Sequence, residues 1–268
     1  MVRVSPTTQR LDSGRLPVTS VPVTAVASPA PLSTPTPGTD TGWLPIRTGM
    51  ETRIQTIPID NTLTEKVTMV RLDPALWQIK IAYHPGEPQP LTAWQQETGA
   101  DLVVNGGFFT PENVATGLVV VDGKPSGQSY EGFGGMLVVF GDGVDIWPLA
   151  ERPYQPDAAI QYGLQSFPML VQAGEAVFIR EDEQRARRTA VAVDRNGRLL
   201  FIAAEQAAFT LAAFSHYLAA SDLELETALN LDGGTSTGLL LVSPPIQVPA
   251  FSLLPTVITA SPAPDNSP

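Results

Sequence analysis

A carboxylate, two glycines and three hydroxyls fall within the octet Asn230-Leu231-Asp232-Gly233-Gly234-Thr235-Ser236-Thr237. A carboxylate in such a setting can take a proton from water or attack an electrophilic carbon. Gly233 and Gly234 allow positive φ and let backbone N–H groups converge on an anion, and Thr235 and Ser236 add hydroxyl donors. The flanking runs Thr227-Ala228-Leu229 and Leu239-Leu240-Leu241 read as short buried strands, so the octet is a turn carried on a rigid scaffold. An Asp-Gly hairpin turn would explain two of these residues. It would not call for the hydroxyls, or for an amide at Asn230.

A second turn repeats the layout. The strand Leu102-Val103-Val104 ends in Asn105-Gly106-Gly107-Phe108-Phe109-Thr110, so Asn105, Gly106 and Gly107 can present amide and backbone donors at the same rim. The competing reading is a strand-closing turn whose aromatic residues return to the core. A third segment, Arg187-Arg188-Thr189, enters an alternating strand directly after a charged run. Arginine offers a planar fork suited to phosphate. Arg188 is expected to face inward with Thr189, whereas residues 181–187 read as a solvated charge run.

Composition narrows the chemistry further. The 268 residues contain no cysteine, which removes disulfides, thiol nucleophiles and Cys-ligated zinc. Only His84 and His216 could supply imidazole, and both read as bystanders, so a Ser-His-Asp triad and a His-rich metal site are poorly supported. The formal charge of −11 and pI near 4.6 argue against nucleic acid and anionic membrane as partners. No run has the roughly 18 apolar residues of a membrane-spanning helix. No cofactor is expected. Asp232, Asp122 and the carbonyls of the glycine-rich loops could together offer hard oxygen ligands to calcium or magnesium.

The elements that must position these groups are mostly short strands. Alternation marks 53–57, 66–72 and 78–83, and further strands are expected at 102–104, 118–121, 136–140, 144–147, 168–172, 176–179, 189–193 and 199–203. Helices are expected at 91–97, stopped by Gly99, and from Thr210 to about Ala220. Segments 125–133 and 150–162 read as long loops. The fold class is therefore α+β: a mixed, mainly antiparallel sheet with few packed helices in a single domain. Residues 1–42 are rich in Pro, Ser and Thr and read as a disordered stalk or linker, 43–260 as the domain, and 261–268 as a disordered tail. A stalk suits an extracellular or cell-envelope protein.

Taken in order, five blocks resemble the phosphodiester glycosidase family: 104–109, 117–124, 167–171, 187–193 and 228–237. The resemblance covers roughly residues 50–260. It implies a hydrolase that cleaves the bond between a sugar anomeric carbon and a phosphodiester, with a glycan or sugar phosphodiester as partner. Asp232 would be the working carboxylate, with Asn105 and Arg188 beside it. Gly106, Gly107, Thr189, Gly233, Gly234, Thr235 and Ser236 would hold substrate or phosphate. Many members carry Asp-Gly-Arg after the strand that here ends at Ala204; this chain continues Glu205-Gln206-Ala207, and Glu205 stands in as a second carboxylate. The arginine that often precedes the closing strand near Pro255 is also missing. A non-catalytic envelope module that binds glycan or anionic polymer through the same turns is the alternative.

Overall fold

The computed structural model describes residues 39–264 apart from 142 and 182. The chain runs β1 (Leu44–Arg47), β2 (Met50–Pro58), β3 (Thr64–Leu72), β4 (Trp77–Tyr83), α1 (Leu91–Thr98) and β5 (Leu102–Asn105). It continues through β6 (Val119–Val121), β7 (Lys124–Ser126), β8 (Gly135–Phe140), β9 (Gly143–Pro148), β10 (Tyr162–Ser166), β11 (Met169–Gln172) and β12 (Glu175–Ala176). It ends with β13 (Ala186–Asp194), β14 (Leu199–Phe209), α2 (Leu211–Ala220), β15 (Leu225–Asn230), β16 (Leu239–Leu241), β17 (Ile246–Val248) and β18 (Thr256–Pro262). Every named strand pairing is antiparallel, and the α+β class holds.

Three sheets form: β1-β2-β3-β14-β13-β15-β11-β12, β7-β6-β10-β8-β9 and β17-β16-β5-β18-β4. Alternation along the first sheet divides its side chains between two cores. Val70, Val191, Phe201 and Leu229 face the two smaller sheets and join Ile79, Val104, Leu137 and Ile258. Their neighbours Met69, Ala190, Ala192, Ile202 and Ala228 face the other way, against Phe214 and Leu218 of α2. Thr210 caps α2 by accepting the Ala213 N–H at 3.1 Å. Helix α1 lays Leu91 and Trp94 on the outer face of the β5–β18 sheet and ends at Gly99 in the left-handed conformation.

Several expectations change. Segment 150–162 does not remain a loop throughout, because β10 begins at Tyr162. That strand escapes a hydrophobic pattern since Gly163 packs where a Cβ would lie 2.3 Å from Met136, and since Gln165 is buried. The strand expected at 176–179 is only Glu175–Ala176. Of the stalk expected at 1–42 and the tail expected at 261–268, residues 1–38 and 265–268 lie outside the described residues. Residues 39–42, assigned to the stalk by composition, are fastened to the domain: Asp40 bridges Gln55 and pairs with Arg53 at 2.5 Å, and its carboxyl is driven well below the usual range by that guanidinium. Residues 261 and 262 likewise continue β18, and Ala263 N donates to Leu76 O. Among the described residues no helix is long and apolar enough to cross a membrane.

Candidate active site

The two glycine turns form one structure. Asp232 N donates to Gly106 O at 3.1 Å. The Asn105 amide donates to the carbonyls of Asp232 at 2.8 Å and Gly106 at 3.1 Å, while its oxygen accepts from Thr189 Oγ1 at 2.9 Å and Gly238 N at 3.0 Å. Both donors and both acceptor positions are therefore used, in a side chain with 0% exposure. This corrects the expected role of Asn105: it does not face substrate but locks the rim together, and Thr189 is its buried partner. Removing four satisfied bonds at once leaves orphaned backbone groups, so Asn105→Ala should cost on the order of 3 kcal/mol. Urea unfolding would measure this.

The glycines are set by close backbone approach. A Cβ on Gly106 would lie 2.0 Å from Thr256 Cγ2, one on Gly107 2.8 Å from Gln165 O, and one on Gly233 2.7 Å from Arg187 O. Gly234, at φ +60°, turns the chain so that its N–H reaches Arg187 O at 2.8 Å.

Strand register decides which charged groups meet. On β13 and β15, Ala190 pairs with Asn230, and the bond from Leu231 N to Thr189 O carries the ladder onward. Arg188 pairs with Ala204 and lies two residues from Ala190, on the α2 face of the sheet, while Asp232, beyond the end of β15, turns to bond Gly106 O. The Arg188 fork is held by Gln184 O at 2.7 Å and, at 3.4 Å, by Phe209 O. Glu205 falls on the opposite face. Its carboxylate accepts from Thr68 Oγ1 at 2.6 Å and pairs with Lys66 at 3.2 Å. Ala204, not Glu205, stands across from Arg188.

Residues 181 and 183–185 are exposed as the solvated reading expects, but Arg187 departs from it. It is 9% exposed, donates from Nε to Glu205 O at 3.0 Å and lies 4.7 Å from the centre of the Phe251 ring. Burial lowers its guanidinium from the usual range, against the pull of Glu205 and Glu65. Burial likewise raises the Asp232 carboxyl, opposed by the Ser236 hydroxyl and by the Gly233 N–H, which donates at 2.9 Å. Ser236 is buried and supports the carboxylate, while exposed Thr235 accepts from Ser252 Oγ at 2.6 Å. Six buried side-chain atoms among the described residues lack a protein partner, on Ser166, Arg187, Thr227, Asn230, Thr237 and Thr256. All but the one on Thr227 lie on residues that belong to or border the two turns, so unsatisfied polarity is concentrated there.

A family model for phosphodiester glycosidases matches residues 98–259, more than half of the chain and all of this rim. The chain belongs to the phosphodiester glycosidase family. Comparison with curated proteins gives no match. Among solved structures it is similar to the zebrafish N-acetylglucosamine-1-phosphodiester alpha-N-acetylglucosaminidase catalytic domain auto-inhibited by its pro-peptide, at TM-score 0.65 and 17% identity over 84% of this chain and 88% of that one. A Synechocystis protein described as hypothetical gives TM-score 0.58 at 17% identity, covering 80% of this chain; this chain spans 62% of that one. A Burkholderia pseudomallei protein described as exported gives 0.52 at 13% identity over 74% of each. At these identities the likeness is one of fold.

Within this member of the family, other expected participants stand elsewhere. Exposed His216 lies on α2, and His84 bonds Gln89 at 3.0 Å and Glu97 at 3.2 Å. Asp122 accepts the Tyr162 hydroxyl beside a cavity of about 380 Å³ lined by Lys80, His84 and Thr259, and burial with that bond pushes Tyr162 up to about 12. Asp232 does not line that cavity. Among the described residues no three His, Cys, Asp or Glu side chains gather as a metal set. The sequence reading missed a cluster of four rings, Phe108, Tyr130, Phe133 and Phe167, beside the turns. Its only trace in the sequence is an aromatic residue in each of several glycine-rich or Ser-Pro contexts, which read equally well as core.

Proposed function

We propose that the chain hydrolyses the bond between a sugar anomeric carbon and a phosphodiester. The observation that carries this reading is the joining of the two glycine turns through Asn105, with half-buried Asp232 at their junction, within the segment that matches the family. The leaving phosphate is already acidic and needs charge stabilisation more than a proton, which suits an arginine. Asp232 takes a proton from water as its oxygen bonds the anomeric carbon. The bond from that carbon to the phosphate oxygen breaks, with its electron pair leaving on the phosphate. A carboxyl raised by burial is a better base for this step than an ordinary aspartate.

The test is incubation of the full chain with N-acetylglucosamine, glucose and mannose 1-phosphodiesters, following release of the sugar and of the phosphomonoester. Turnover is expected for one of them, with inversion at the anomeric carbon by NMR at early times. Retention would recast Asp232 as nucleophile. Binding of the sugars without turnover would favour the envelope module instead. Export is part of the proposal, supported by the proline-rich composition of residues 1–42 and the exported description of one structural neighbour.

A further inference from the structure

The sheet order β13-β15-β11 sets three different chemistries side by side. Arg188 lies on β13, Asp232 follows β15, and Phe167 leads into β11 with its carbonyl accepting from the Asn230 amide at 2.8 Å. Adjacent strands are about 4.8 Å apart, so the arginine and the ring stand on strands roughly 10 Å apart with the carboxylate's strand between them. Phe167 is the hub of the ring cluster. Phe108, directly after the Gly106-Gly107 turn, stacks on it at 4.5 Å, while Tyr130 and Phe133 stack on each other at 4.8 Å and meet Phe167 edge-on at 5.6 and 5.8 Å. Two stacked pairs thus meet at a steep angle and form an apolar corner.

This corner is held open to solvent by buried groups. Phe133 is 48% exposed and the other three rings only partly covered. The loop that carries Tyr130 and Phe133 is clamped by Gln165, itself 2% exposed. Its oxygen accepts from Leu118 N at 3.2 Å and Tyr130 N at 2.8 Å, and its amide donates to Ser129 Oγ at 2.8 Å. Tyr130 is further tied to Thr116 at 2.6 Å and lies where a Cβ on Gly117 would come within 2.8 Å of its ring. Rigid exposed rings on a buried polar clamp are what a preformed binding wall requires, since the loop's ordering cost is met before a ligand arrives.

We infer that the corner of Phe108, Tyr130, Phe133 and Phe167 is the subsite for the pyranose ring, and that it orients the substrate with sugar on the rings and phosphate toward Arg188. This rests on the hydrolase reading above for the phosphate end only. A pyranose presents an apolar C–H face to an aromatic ring and hydroxyls around its edge. The wall itself carries no charge and a single hydroxyl, so a phosphate gains nothing there.

The experiment measures binding of methyl α-pyranosides of glucose, mannose and N-acetylglucosamine to the full chain by saturation-transfer NMR and titration, alongside inorganic phosphate. Phe133→Ala should weaken the bound pyranoside about five- to tenfold with an unchanged melting temperature, and Phe133→Trp should restore it. Phosphate affinity should be unaffected by Phe133→Ala and reduced by Arg188→Ala. Pyranoside binding indifferent to Phe133, no pyranoside binding at all, or phosphate loss on Phe133→Ala would each overturn the assignment. Phe133-dependent binding without turnover would leave the subsite standing and remove the hydrolase reading. Turnover with a Phe133-independent KM would do the reverse.

Discussion

Asp232→Asn should keep the fold and lower kcat/KM by at least about a hundredfold, the lower end of what a positioned acid or base contributes. The amide preserves shape, and its oxygen can still accept the Gly233 N–H, so the turn survives while the base is lost. Two further readouts separate this from a merely structural aspartate. Burial raises the Asp232 carboxyl, so the acid limb of kcat/KM should lie above the range of an exposed aspartate, about 3.9. The same shift has a stability sign. A carboxyl whose folded pKa exceeds its unfolded one favours folding fully below the unfolded value, and that contribution disappears as pH rises through the folded value. At neutral pH the ionised group thus gives the fold nothing through this shift, and Asp232→Asn should melt no lower than the parent. A lower melting temperature with turnover per folded molecule intact would remove Asp232 from the mechanism.

Arg188→Ala should reduce kcat/KM by roughly 10²- to 10³-fold, as for loss of one preorganised donor to developing charge. Arg188→Lys should fall between, because it keeps the charge but loses the planar fork that Gln184 O and Phe209 O hold in place. The control is Arg187→Ala. Arg187 is buried beneath Phe251 on the other face, so its loss should appear as reduced stability, with kinetics per folded molecule much less affected. Steady-state kinetics of the three variants with urea melts decide it. Kinetic collapse in Arg187→Ala with an unaffected Arg188→Ala would exchange the two roles.

What the sequence made legible follows from local physics. Both glycine turns, the strands that bear them and the two helices are readable because alternation, capping and paired glycines act over a few residues. Arg187 was misread because a bulge between Ala186 and Arg188 breaks the register with β14, and a run of charges carries no mark of the lid that covers it. The surroundings of Glu205 are hidden for a related reason. Its strand runs on to Phe209 through a second irregularity at Ala207, φ +56°, where buried Glu65 accepts the Gln206 and Ala208 N–H groups at 2.6 and 2.7 Å from another strand. Strand β10 and the ring corner rest on Gln165, a polar residue used as a core anchor. Hydrophobic patterning reads such a residue as surface, so only the assembled fold shows it.

The saturated Asn105 also bears on how this rim ages. An Asn-Gly pair in a flexible chain loses its amide through attack by the following backbone nitrogen, and it leaves behind aspartate or its isomer. In the native rim that nitrogen is engaged with Thr256 O at 3.0 Å and the amide with four partners, so the reaction is closed off while the domain stays folded. Each excursion to the unfolded chain reopens it. The carboxylate produced could no longer donate to Asp232 O or Gly106 O, and refolding would meet a buried charge where an amide belongs. Thermal inactivation thereby acquires a chemical ratchet, and the useful lifetime of the domain is set by how often it opens as much as by its equilibrium stability.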